Sequence, residues 1–212
     1  MASDQIKRFE RWRRFLPKNS AYFVTLILEE IVPLFRAKGF DRFKDYAGGS
    51  TFAVGGNNIP LQRRSGSEWP TVEIRFHYQN PSIDVSFGAL PEICCRVTAE
   101  GTIVEIPRIE ASVVDGPAVF HLCKGKNNFR NFGYSFFAFS PKRKLDKEII
   151  ILKSLLPWLF STLECIPEAW FRSQPGYVDP HAFLNPASRM FRKWECAERM
   201  LAKMLASRKA SI

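Results

Sequence analysis

Hydrophobic and polar positions change period twice along this chain. From Asp4 to Leu16 the apolar residues Ile6, Phe9, Trp12 and Leu16 recur near helical spacing, with Lys7, Arg8, Arg11, Arg13 and Arg14 between them. That pattern predicts a short basic amphipathic helix within residues 1–19. Pro17-Lys18-Asn19 ends it, and Ser20 is placed to cap a second helix through its hydroxyl. Phe23, Ile27, Ile31 and Leu34 would form one face of that helix, and Pro33 predicts a kink or a tightened last turn. Gly39 suits the residue just past the helix end, from which Phe40 can fold back onto the last turn.

The central third alternates with period two. Val72, Ile74, Phe76 and Tyr78 face one side of a strand, and Glu73, Arg75, His77 and Gln79 the other. Asn80-Pro81-Ser82 reads as a turn, after which Ile83, Val85, Phe87 and Ala89 resume the alternation. The expected hairpin has one covered face and one more polar face. Further strands are expected at Ser50–Val54, Thr102–Ile106, Ala118–Cys123 and Tyr134–Phe139, with Gly55-Gly56-Asn57-Asn58 as a turn before Ile59.

After Ser140 the period returns to that of a helix. Lys147–Glu164 is strongly apolar, with Pro157 as an internal break, and reads as a core helix. Asn185-Pro186 can start a terminal helix within 180–212, its stripe formed by Met190, Trp194, Ala197 and Leu201. The order helices, sheet, helices predicts one α+β domain over 1–212, an antiparallel sheet with helices from both termini packed mainly on one face.

Charge changes this picture by dividing the chain into zones. Lys and Arg outnumber Asp and Glu by 10 to 5 up to Lys44, fall to 5 against 9 from Asp45 to His121, and reach 16 against 7 thereafter. The net charge of +10 is therefore placed on two flanks, which favours an anionic partner, either an acidic protein or nucleic acid. Lys124, Lys126, Arg130, Lys142, Arg143 and Lys144 bracket an aromatic run, and Arg189, Arg192, Lys193 and Arg199 project from the terminal helix. These ten residues are the expected binding face. Nineteen Phe must be buried or used for contact. No apolar run reaches membrane-spanning length and no secretory leader is evident, so a cytoplasmic protein with reduced thiols is expected.

The order of elements resembles a bacterial family catalogued as a domain of unknown function. Leu34-Phe35-Arg36-Ala37-Lys38-Gly39-Phe40 and Ile83-Asp84-Val85-Ser86-Phe87-Gly88 carry the resemblance, which covers roughly half the chain. Some of its members look like immunity or defence proteins, and the resemblance implies a protein-binding role of that kind. The basic charge departs from that of an inhibitor that mimics nucleic acid. The resemblance assigns no functional residue.

Candidate chemistry is sparse. Arg130-Asn131-Phe132-Gly133-Tyr134-Ser135-Phe136-Phe137 superficially resembles an RNA-recognition signature, but Asn131 and Ser135 depart from it. The charged and aromatic composition still fits single-strand binding. Cys94, Cys95, His121 and Cys123 are zinc-ligand types, yet adjacent strand residues point to opposite faces, so buried thiols are the expected state and no metal site is assigned. Glu73, Arg75 and Asp84 invite comparison with a metal-dependent nuclease, although an arginine cannot readily exchange protons. His77, His121 and His181 have no local partner pattern, and no cofactor-binding motif is present. The expectation is a non-enzymatic binding protein that docks an anionic partner, with nucleic-acid binding as the alternative and a divalent-metal nuclease behind it.

Overall fold

The computed structural model describes residues 4–42, 57–65, 68–77, 80–98, 100, 102–113, 116, 119–124, 131–134, 140–164, 199, 200, 202 and 206. Helix α1 (Asp4–Arg13) buries Phe9 fully and sets Trp12 against Phe76, with ring centroids 5.5 Å apart. Lys7 and Arg11 remain exposed because only one stripe of the helix meets the core. Helix α2 (Lys18–Leu26) starts two residues before the expected cap. Pro17 takes the N-cap position without a side-chain cap, and Ser20 lies buried inside the helix.

A π-helical turn, Ile27–Ile31, joins α2 to α3 (Val32–Arg36). Its i→i−5 hydrogen bond runs from Val32 N–H to Ile27 C=O, next to Pro33, which has no N–H to offer. In a straight α-helix a strict four-residue repeat drifts by about 40° per step. The wider turn offsets that drift, so Phe23, Ile27, Ile31 and Phe35 are all buried while Leu34, expected in the core, is exposed. The chain widens ahead of Pro33 where a kink or tightening was expected.

The end of α3 behaves as expected of Gly39. Gly39 has φ of 80°, its N–H bonds Arg36 C=O at 2.9 Å, and Phe40 N–H bonds Phe35 C=O at 3.1 Å. This is the paired hydrogen-bond pattern of a Schellman motif. Phe40 closes it by meeting Phe35 edge-on, at a centroid distance of 5.8 Å.

The main sheet is antiparallel: β1 (Asp41–Arg42), β2 (Asn58–Gln62), β3 (Glu68–Phe76), β4 (Ser82–Pro91) and β7 (Val119–His121) lie in that order. Strand β8 (Asn131–Gly133) also pairs with β4. Val72 opposes Phe87, Ile74 opposes Val85 and Phe76 opposes Ile83, and Val72, Ile74 and Phe76 are buried against the helices as expected. The hairpin closes earlier than expected, with His77 N–H bonding Ser82 C=O at 3.0 Å. Tyr78 and Gln79 lie outside the described residues.

Other expectations shift by a few residues. Asn58 begins a strand, and the aromatic run contributes β8 at 131–133 ahead of the expected 134–139. A separate hairpin pairs β5 (Ile93–Val97) with β6 (Ile103–Pro107). The expected strand at 50–54 lies outside the described residues. Helix α4 (Pro141–Glu164) runs through Pro157 without a break. Pro157 is exposed, so the carbonyl it leaves unpaired can bond water, while Leu145, Ile149, Leu152, Leu156, Leu159 and Leu163 hold the inner face in the core. Of the terminal helix, Arg199 is described as exposed and Met200 as buried. The fold is α+β, with α1–α4 sharing one apolar core with one face of the sheet.

The opposite face is not the open polar surface that the alternation predicts. A short 3₁₀ turn, Arg108–Glu110, leads to Ala111–Val113, which are buried, and Glu73 and Thr71 are buried as well. Glu73 accepts a hydrogen bond from Val113 N–H at 2.8 Å. Arg108 clasps this cover in place: its guanidinium lies 3.9 Å from the Trp69 ring centroid, donates to Gln62 Oε1 and reaches Glu92 at 3.4 Å.

Candidate anion-binding surface

The first turn of α4 carries Lys142, Arg143 and Lys144, all exposed, and no acidic residue. This runs against the helix macrodipole, whose positive end favours carboxylates and repels cations by roughly 0.3–1 kcal/mol each. The long side chains are held over aromatic rings. Lys142 Nζ lies 5.2 Å from the Tyr22 centroid, and Lys144 Nζ 5.7 Å from that of Tyr134. Lys124 Nζ lies 5.5 Å from the Phe132 centroid and pairs with Glu148 at 2.8 Å. Such contacts orient an ammonium while leaving its charge available. Tyr22 donates to Asp146 Oδ1 at 2.7 Å, and that hydrogen bond, more than burial, raises the phenol above its usual value.

Phe132 and Tyr134 alternate past the end of β8 and α4 packs on that strand, so the fold gathers Lys124 and Lys144 at one end of the helix layer. Arg199 is exposed. Lys126, Arg130, Arg189, Arg192 and Lys193 lie outside the described residues. The RNA-recognition comparison fails at Phe132. A ring with no exposed surface cannot stack on a base, and Phe132 is fully buried.

The histidines have partners that sequence could not show. His77 Nε2 lies 3.1 Å from Asp84 Oδ2, and Ser86 Oγ lies 3.0 Å from His121 Nδ1. Hydrogen bonding to Asp84 holds His77 above its usual value, against burial and the nearby Arg75. Alternation reveals which face a residue takes, whereas these contacts depend on register: Asp84 opposes Arg75, and Ser86 opposes both Glu73 and His121. Glu73 is taken up by Val113 and Asp84 by His77, an arrangement unlike a metal-holding nuclease core. Cys94 is buried in the β5–β6 hairpin, whereas His121 and Cys123 belong to the main-sheet side. Among the described residues, no group of three or more His, Cys, Asp or Glu is placed to hold a metal ion.

A second basic group went unnoticed in the sequence because its members are far apart along the chain. Arg42 lies with its guanidinium 4.9 Å from the Phe9 centroid and 3.9 Å from the Glu10 carboxylate. Burial lowers its pKa from the usual arginine value; Glu10 opposes this, and the nearby Arg36 and Arg13 add to it. Arg63 lies over Phe40 at 5.0 Å, donates to Lys38 C=O at 3.2 Å and reaches Glu164 at 3.7 Å. No helix among the described residues is long and apolar enough to cross a membrane. No protein-family model, curated protein or solved structure matches the chain.

Proposed function

We propose that this chain is a non-enzymatic binding protein that docks an anionic macromolecule through the basic end of α4. The supporting observation is the placement of Lys142, Arg143 and Lys144 in a helical first turn without a carboxylate. The helix dipole disfavours cations at that end, whereas an incoming anion meets both their charge and the dipole. Lys124, beside β8, shares its charge with Glu148. A defence-accessory role is the most specific form of this reading, and the resemblance of segments 34–40 and 83–88 alone supports it.

The test is the affinity of the wild type and the triple variant Lys142→Glu, Arg143→Glu, Lys144→Glu for two polyanions, poly-glutamate and a single-stranded oligonucleotide, across a salt series. Reversal should weaken binding by about an order of magnitude while leaving thermal stability nearly unchanged, since exposed substitutions usually cost within about 0.5 kcal/mol. Unchanged affinity for both polyanions would remove the α4 end as the docking surface.

A further inference from the structure

Helix α4 is apolar on two sides. Its inner stripe, from Leu145 to Leu163, meets the core, as one face of a surface helix must. On the outer side Ile150 is 66% exposed, Trp158 47% and Ile151 38%, with Pro157 exposed beside them. These residues belong to a second stripe. Lys147, Ile150, Ser154, Pro157, Ser161 and Glu164 are all exposed and follow one another at alternating steps of three and four residues. That is the spacing of a seam between two helices.

The polar members of this stripe do not resist dehydration. Ser154 Oγ donates to Ile151 C=O at 2.7 Å and Ser161 Oγ to Trp158 C=O at 2.9 Å, so both hydroxyls are satisfied within the helix. Trp158 meets Phe87 edge-on at 5.6 Å, which holds the ring still and presents its exposed part with little freedom to lose on contact. Charge is segregated along the stripe, with Arg143 and Lys147 at its start and Glu164 at its end. Glu164 reaches Arg63 only at 3.7 Å and keeps 63% of its side chain exposed, so it can take a second cation. Two such helices side by side in parallel would bring their cations together. Antiparallel, with Ser154 on a two-fold axis, Ile150 lies opposite Trp158 of the second copy and Ile151 opposite Pro157. Glu164 of the second copy then lies between the levels of Arg143 and Lys147, and the two helix dipoles oppose each other.

We propose that this chain forms a two-fold dimer through the outer stripe of α4, the two helices running antiparallel about Ser154. From Lys147 to Glu164 the seam is about 25 Å long. One pair of helices buries less than the roughly 800 Å² per partner of a standard interface, so the dimer should be of micromolar affinity and exchange with monomer. Lys142 and Lys144 stay outside the seam, over Tyr22 and Tyr134. The dimer therefore does not depend on the anionic-partner reading, and it sets one basic helix start at each end of the pair.

Sedimentation velocity of the full chain at concentrations from about 1 to about 100 µM tests it. The wild type should pass from monomer to dimer over that range. Ile150→Asp alters an exposed side chain, so it should keep the wild-type melting temperature while raising the dissociation constant by about tenfold or more. Lys147→Glu should weaken the dimer by about fivefold, and adding Glu164→Lys should restore it, because the swap rebuilds the facing charges. Under mild oxidation Ser154→Cys should give an interchain disulfide that the wild type does not form, since a residue on the axis meets its own copy. A wild type that is monomeric at about 100 µM overturns the proposal. So does a dimer that Ile150→Asp leaves intact, which would put the interface elsewhere. A dimer in which Ser154→Cys does not cross-link overturns the antiparallel register and the proposal with it. A monomer that sediments with anionic vesicles, and does so less after Ile150→Asp, overturns it in favour of a lipid contact.

Discussion

The Glu73 carboxylate accepts a 2.8 Å hydrogen bond from the backbone N–H of Val113, in a position where both residues are buried. An acidic side chain on what reads as the solvent face of a strand thereby becomes the anchor of a covering segment. Glu73→Ala should cost about 2 kcal/mol in urea unfolding, because it leaves a buried donor unsatisfied. Glu73→Gln retains an acceptor oxygen and should cost less. Equal stability of wild type and Glu73→Ala would show that the cover does not depend on this bond.

Gly39 and Gly133 both have positive φ, 80° and 111°, but they differ in surroundings. A Cβ on Gly39 meets nothing within 4 Å, whereas one on Gly133 would lie 2.1 Å from Pro81 O. Gly39→Ala should therefore cost about 1 kcal/mol from backbone strain alone. Gly133→Ala adds a clash with the hairpin and should cost about 3 kcal/mol or lose the β8–β4 pairing. Denaturant midpoints showing equal losses would contradict this ordering.

His77 makes a pH-dependent contribution. Its folded pKa is raised by Asp84, so the unfolded chain releases the proton more readily. The stabilisation is fully present below the unfolded value of about 6.5 and is lost as pH rises through the higher folded value. The pair is partly solvent-exposed, with side-chain accessibilities of 36% and 28%, so the effect should be only a few tenths of a kcal/mol. Urea unfolding across that range should show a slope for the wild type that Asp84→Asn reduces; identical slopes would rule the pair out.

The thiols should differ in reactivity. Cys94 is fully buried beside Leu90, Ile106 and Ala111, while Cys95 and Cys123 are partly accessible. Iodoacetamide should modify Cys95 and Cys123 in the native protein and Cys94 only after denaturant is added, as read by peptide mass spectrometry. Prompt labelling of Cys94 under native conditions would show that the β5–β6 cluster opens.

Part of this architecture was legible because its causes are local. Alternation from Val72 to Phe76 and from Ile83 to Ala89 reports a pleat with one apolar side, whatever lies beyond it. The Gly39-Phe40 pair reports a helix end because positive φ and a ring folding back are properties of neighbouring residues. Lys142, Arg143 and Lys144 are visible in the sequence as a basic run, but not as the first turn of α4. The apolar period was read from Lys147, and Pro141–Asp146 precede it.

The sequence by itself determined which residues could share a face, where the hairpin and the Schellman turn form, and that positive charge flanks an acidic middle. Those properties follow from periods of two and 3.6 and from side-chain chemistry. Only the tertiary structure decided that Glu73 is buried, that His77 meets Asp84 and Ser86 meets His121, and that Arg42 of β1 lies over Phe9 and beside Glu10 of α1. Each of these depends on a strand register or a helix crossing that joins distant segments. Cross-strand neighbours stand about 5 Å apart however many residues separate them, so no local pattern can report them.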